Sequence, residues 1–117
     1  MTCECPEEIH VGDVGTQFIA TIKENVLVNG VWMCKPVDIS AGSNFKIIFD
    51  KPNGVGVEKT ASLLTDGKDG KIQWTTTLTT DLDQDGQWKM QGKVTIGGGT
   101  WSSSIDYFRV KPNIEVP

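Results

Sequence analysis

The stretch Lys71 to Val94, K-I-Q-W-T-T-T-L-T-T-D-L-D-Q-D-G-Q-W-K-M-Q-G-K-V, decides how this chain is read. On its N-terminal side Ile72 and Trp74 alternate with Lys71, Gln73 and Thr75. On its C-terminal side Trp88, Met90, Gly92, Val94 and, just beyond, Ile96 share one face, while Gln87, Lys89, Gln91, Lys93 and Thr95 share the other. A strict period of two marks a half-buried strand. Between the two runs lies a corner built on Leu82, Gly86 and Trp88, with a single turn at most around Leu82.

Working outward, T-Q-F-I-A-T-I-K-E (16–24) puts Phe18, Ala20 and Ile22 on one face against Gln17, Thr21 and Lys23, with Ile19 interrupting the polar side. Asn29-Gly30 follows between two apolar arms, Val26 to Val28 and Val31 to Met33. Both turn residues tolerate the positive φ of a type I′ turn, so a hairpin is predicted over 26–37, apolar on both faces. Phe45, Ile47 and Phe49 alternate inward, Pro52-Asn53-Gly54 turns the chain, and Val55 to Leu64 is read as one returning strand. D-G-K-D-G (66–70) is a second tight turn and Gly97 to Gly99 a third. Trp101 to Val110 is read as a closing strand with Phe108 and Val110 inward, ended by Pro112, which has no N–H to offer a ladder. No helical period appears. The pattern predicts an all-β, antiparallel sandwich of about seven strands plus the extra hairpin. An acidic residue, a glycine and an aromatic before the penultimate strand match the corner of an immunoglobulin-like sandwich.

At 117 residues the chain is one domain with enough length for a real core. Residues 1–12 are expected to form a leader, 13–113 the sandwich and 114–117 a tail. The net charge of −4, with Lys and Asp interspersed, offers no basic stripe for nucleic acid. No apolar stretch approaches the length of a membrane span. The opening M-T-C-E-C-P-E-E lacks the basic and apolar regions of a signal peptide, and the three cysteines do not read as a disulfide framework. Synthesis in a reducing cytosol with free thiols is expected.

Several segments resemble a known group. D-V-G-T-Q-F-I-A-T-I-K-E-N (13–25), V-D-I-S (37–40), K-I-I-F-D-K-P-N-G (46–54), K-T-A-S-L-L-T-D-G-K-D-G-K-I-Q-W-T-T (59–76) and D-L-D-Q-D-G-Q-W-K-M-Q-G-K-V (81–94) are similar to small bacteriophage proteins. Those proteins carry an immunoglobulin-like domain resembling the N-terminal domain of phage upper-baseplate proteins. The resemblance covers roughly residues 13–113. It implies a virion structural role, on the capsid or on the tail, collar or baseplate, in multiple copies and beside other virion proteins. Against that group, residues 26–37 look like an insertion between I-K-E-N and V-D-I-S. Where immunoglobulin domains pair two cysteines, this chain has Met90 and either Ala20 or Ile22, so packing alone must hold the sheets together. Trp88 stands in for the usual corner tyrosine, and its indole N–H needs a partner if buried.

Other chemistry is weaker. Asp81, Asp83, Asp85 and Gly86 open like a calcium loop, but the twelfth position, where a bidentate Glu belongs, is Gly92. A solvated corner is the better reading. Cys3, Cys5, His10 and Cys34 could supply soft ligands to zinc, though C-x-C lacks the usual two-residue gap. One histidine, Ser102 to Ser104 on a strand, and Gly54-x-Gly56 without a third glycine give no nucleophile elbow and no phosphate loop. The expectation is a non-enzymatic protein without a cofactor. Of the four tryptophans, Trp74 and Trp88 are read as core. Leu27, Val31, Trp32 and Met33 are the candidates for a docking surface, because a short hairpin cannot hide two apolar faces. The alternatives are a hairpin folded over the open end of the sandwich, or a host-surface glycan module stacking sugars on Trp32 and Trp101.

Overall fold

The structure, a computed structural model, describes residues 9–113. Its strands are β1 (Ile9–His10), β2 (Gln17–Thr21), β3 (Lys23–Val28), β4 (Val31–Pro36), β5 (Ser43–Asp50), β6 (Gly56–Thr60), β7 (Ser62–Leu63), β8 (Lys71–Thr75), β9 (Gly86–Ile96), β10 (Gly99–Ser102) and β11 (Asp106–Lys111). One sheet runs β1-β11-β9-β5-β6, with β10 also on β9; the other runs β2-β8-β7; β3 and β4 form a separate two-stranded ribbon. The two larger sheets make an all-β, sandwich-like fold. Every pairing is antiparallel except β1 on β11, where Ile9 lies opposite Val110 in parallel.

The alternation read from sequence becomes the core. Phe18, Ala20, Ile22, Ile47, Phe49, Ile72, Trp88, Met90, Val94 and Val110 are all buried between the sheets. Each fully buried large side chain contributes about 1.5–3 kcal/mol of transfer free energy. Five rings fill the middle: Phe18 lies 5.1 Å from Phe49 and 4.8 Å from Phe108, Phe49 lies 5.5 Å from Trp74, and Trp88 stacks 5.8 Å from Phe108. Offset and edge-on pairs of this kind add about 0.5–1.5 kcal/mol beyond area burial. Among the described residues no cysteine takes part in this centre.

Four sequence expectations need correction. The fold starts before residue 13: Ile9 is buried, Val11 N–H donates to the Lys111 carbonyl at 3.0 Å, and Gly12 N–H donates to the Leu82 carbonyl at 2.9 Å. A two-residue strand held by a partner a hundred residues away leaves no local period to read. Val55 to Leu64 is two strands in different sheets; the chain crosses at buried Ala61, whose N–H donates to the Phe45 carbonyl. Trp101 to Val110 is interrupted by a bulge. Ser103 exchanges hydrogen bonds with Gly92, donating N–H to its carbonyl and accepting its N–H at Oγ, and one extra residue follows before Asp106 pairs with Met90. Finally, the hairpin begins at Lys23, and Val37, read as its last residue, is buried in the core.

The corner closes as its residues suggest. The Trp88 side chain is 1% exposed, and its Nε1–H donates to the Gln84 carbonyl at 3.0 Å. Asp81 is buried and accepts N–H bonds from Thr77 and Leu78, both at 2.9 Å, and one from Lys59 Nζ at 3.1 Å. Burial is the largest influence on Asp81 and raises its pKa. The Leu78 and Thr77 N–H bonds and the Lys59 ammonium together outweigh it and hold the carboxyl below its ordinary value. Lys59 also lies over the Trp74 ring, and Lys51 pairs with Asp83 while lying over Trp88.

Candidate functional site

The surface that the fold leaves unexplained is the β3–β4 ribbon. Asn29 and Gly30 have φ of 51° and 79°, the two positive values a type I′ turn requires. That turn fixes the register as Val28 opposite Val31, Leu27 opposite Trp32, Val26 opposite Met33, Asn25 opposite Cys34 and Glu24 opposite Lys35. Directly opposed residues in an antiparallel pair project to the same side. One face therefore carries Val26, Val28, Val31 and Met33, with Glu24 and Lys35 at its foot. The other carries Leu27 and Trp32 above Asn25 and Cys34.

Both faces are exposed from Leu27 onward, while Val26 is half-buried. Trp32 is 69% exposed, and Leu27, Val28, Val31 and Met33 are exposed with it. The ribbon does not fold over the sandwich, because its last turns of chain, from Leu27 to Pro36, are exposed throughout. All four residues proposed from sequence thus lie together on one projecting element. Val26 and Val28 complete the apolar face and were missing from that set; the Asn-Gly turn was the signal that could have placed them, since it dictates which residues oppose Val31 and Met33.

The competing sites separate. Trp101 lies on β10 in the six-stranded sheet, not on the ribbon that carries Trp32, and is 37% exposed. Cys34 is on the ribbon and His10 on β1, while Cys3 and Cys5 lie outside the described residues. Among the described residues no three His, Cys, Asp or Glu side chains come together as metal ligands. In the corner, Asp81 and Asp83 are each engaged by a separate lysine rather than turned toward a common centre. Ser103 is tied into the bulge by its bonds to Gly92 and the Ser104 carbonyl.

One feature that sequence reading did not expose is an open strand edge. Among the described residues no strand pairs with the side of β2 away from β8. Beside it runs a groove toward β11, lined by Ile9, Phe18, Ile19, Met90, Tyr107 and Phe108 and, further along, by Thr21, Lys23, Ser104 and Asp106. No sequence-family profile matches this chain, and no curated protein sequence matches it either.

Proposed function

We propose that this protein is a non-enzymatic structural component of a bacteriophage particle that attaches to its neighbours through the β3–β4 ribbon. The observation that carries the docking part is the ribbon itself, with two uncovered apolar faces on an element that contributes nothing to the core. An isolated two-stranded hairpin is marginal in water, and exposed contiguous apolar surface marks a contact site. Trp and Met, both present here, are enriched at the centres of protein interfaces. The particle part of the reading is supported by the sequence resemblance carried by residues 13–25, 37–40, 46–54, 59–76 and 81–94. The mechanism is rigid presentation: a sandwich closed by its ring cluster and corner holds the ribbon at a fixed orientation, and the symmetry of the particle repeats it.

Quantitative mass spectrometry of purified particles from the encoding phage tests this. A fixed ratio to the major capsid protein is expected, with a capsomer-like count for decoration and a few to a few tens for a tail, collar or baseplate position. Absence of the chain from particles overturns the reading.

A further inference from the structure

The open edge extends beyond β2. Thr16 and Thr76 bond through their backbones, with Thr76 N–H donating to the Thr16 carbonyl, and Ile22 N–H donates to the Gly70 carbonyl. Alternation then turns the backbone groups of Phe18, Ala20 and Ile22 toward β8. The Ile22 carbonyl also accepts the Val37 N–H, where the chain leaving β4 takes over from β8. So β2 and β3 are one continuous strand from Gln17 to Val28, paired on the same side throughout, first with β8 and then with β4. The N–H and C=O groups of Gln17, Ile19, Thr21, Lys23, Asn25 and Leu27 point the other way, where no described strand lies. At about 3.3 Å per residue this edge is roughly 40 Å long.

Sheet proteins blunt such edges with short strands, charges, bulges or proline. Four other edge strands follow that rule: β1 and β7 have two residues each, β6 carries Glu58 and Lys59, and β4 ends in Lys35 and Pro36. The Gln17–Val28 edge has no proline, glycine or bulge, and Lys23 is the one charged residue among those whose backbone faces outward.

We infer that this edge binds a second copy of the chain, with β3 of each copy lying antiparallel along β2 of the other. Parity supports that occupant. A two-fold axis normal to the sheet keeps each side chain on its own side of the combined sheet. Phe18, Ala20 and Ile22 face the core, and Val26 and Val28 have the same parity. The face carrying half-buried Val26 and exposed Val28, Val31 and Met33 of one ribbon is therefore delivered to the core side of its mate's β2. There it meets the apolar groove bounded by Ile9, Phe18, Met90, Tyr107 and Phe108. Each ribbon supplies the outer strand that the mate's three-stranded sheet lacks and gains the cover that it lacks alone. A strip about 40 Å long and about 10 Å thick buries roughly 800 Å² in the pair before the ribbon faces are added, so the complete contact passes the ~1,000 Å² of a specific interface. The inference takes the ribbon as the docking element, as proposed above, and names its partner. It fails separately from the particle assignment, because a virion component can be monomeric in solution.

Sedimentation velocity of the purified full chain from roughly 1 to 200 µM, combined with amide exchange read by NMR, tests it. A dimer forming in the micromolar range is expected. The Ile19, Thr21 and Lys23 amides should be protected only in the dimer, and those of Phe18 and Ala20 at every concentration. Ile19→Lys on the body and Met33→Asp on the ribbon should each weaken association at least about tenfold while leaving the monomer's Tm in place. A single monomer boundary across the range overturns the inference. So does a dimer indifferent to both substitutions, or one whose protected amides lie elsewhere.

Discussion

Trp88 on β9 and Trp32 on β4 both sit on strands that follow a turn, and they end in opposite environments. Trp88 is 1% exposed, stacked on Phe108, with its indole N–H bound to Gln84. Trp32 is 69% exposed, with Leu27 opposite it on an uncovered face. The corner around Trp88 draws in partners from β5, β6 and β11. The ribbon around Trp32 pairs only within itself. Apolar content alone does not make a core; a second layer does. The corner is where this chain stores stability, and the ribbon is where it has surface left for another molecule.

The largest test of that contrast is Trp88→Ala. It should cost about 3–5 kcal/mol in denaturant unfolding, as expected for a deleted buried ring, and a loss below about 1 kcal/mol would remove the corner from its role. Next is Gly70→Ala. Gly70 has φ of +73°, and a Cβ there would lie 2.5 Å from the Ile22 carbonyl oxygen and 3.0 Å from that of Val37. Both backbone strain and a clash with main-chain atoms follow, so a loss of about 2–3 kcal/mol is expected in the same assay.

Asp81 is the third. Its folded pKa is lowered, so its contribution is present above the unfolded carboxylate value and disappears as pH falls through the folded one. Stability should therefore drop as pH goes below about 4. Asp81→Asn should remove about 1–3 kcal/mol at pH 7 and flatten that acid limb. An unchanged acid limb would mean that other carboxylates set it. Asp38, lowered by its bonds from the Ser40 hydroxyl and N–H, is fully exposed and is not expected to contribute measurably. Smallest on stability is Trp32→Ala, within about 0.5 kcal/mol of the parent as for any surface change, while attachment to the particle is lost. A large stability effect there would erase the distinction between the two regions.

What sequence reading could reach follows from range. Period-two alternation is written within a few residues, so β2, β5, β8 and β9 and most of the core were legible. Turns with demanding φ values were legible too, at Asn29-Gly30 and in the 66–70 segment. The need of the Trp88 indole for a partner was foreseeable, but its acceptor, the Gln84 carbonyl, was not. The crossing at Ala61, the parallel pairing of Ile9 with Val110 and the Ser103 bulge depend on neighbours distant in sequence, and no local pattern encodes them. The same holds for Lys51 and Lys59, which read as ordinary surface charges until the fold sets them beside Asp83 and Asp81. The exposed apolar residues of the ribbon were legible because excess apolar residues on both sides of a hairpin are a local fact. The open edge was not, because an edge is defined by what fails to arrive beside it.

The proposed function turns on one separation, a sandwich that folds by itself and a ribbon that serves a partner. Glu24 and Lys35 form the same kind of pair as Val28 and Val31, so the ten residues between them can be replaced by Asn-Gly with the turn geometry kept. The decisive measurement is the copy number of this trimmed chain in purified particles relative to wild type, made on protein whose unfolding transition has been checked. The account predicts a folded chain that is missing from the particles. A trimmed chain present at wild-type copy number, or one that no longer folds, would contradict it.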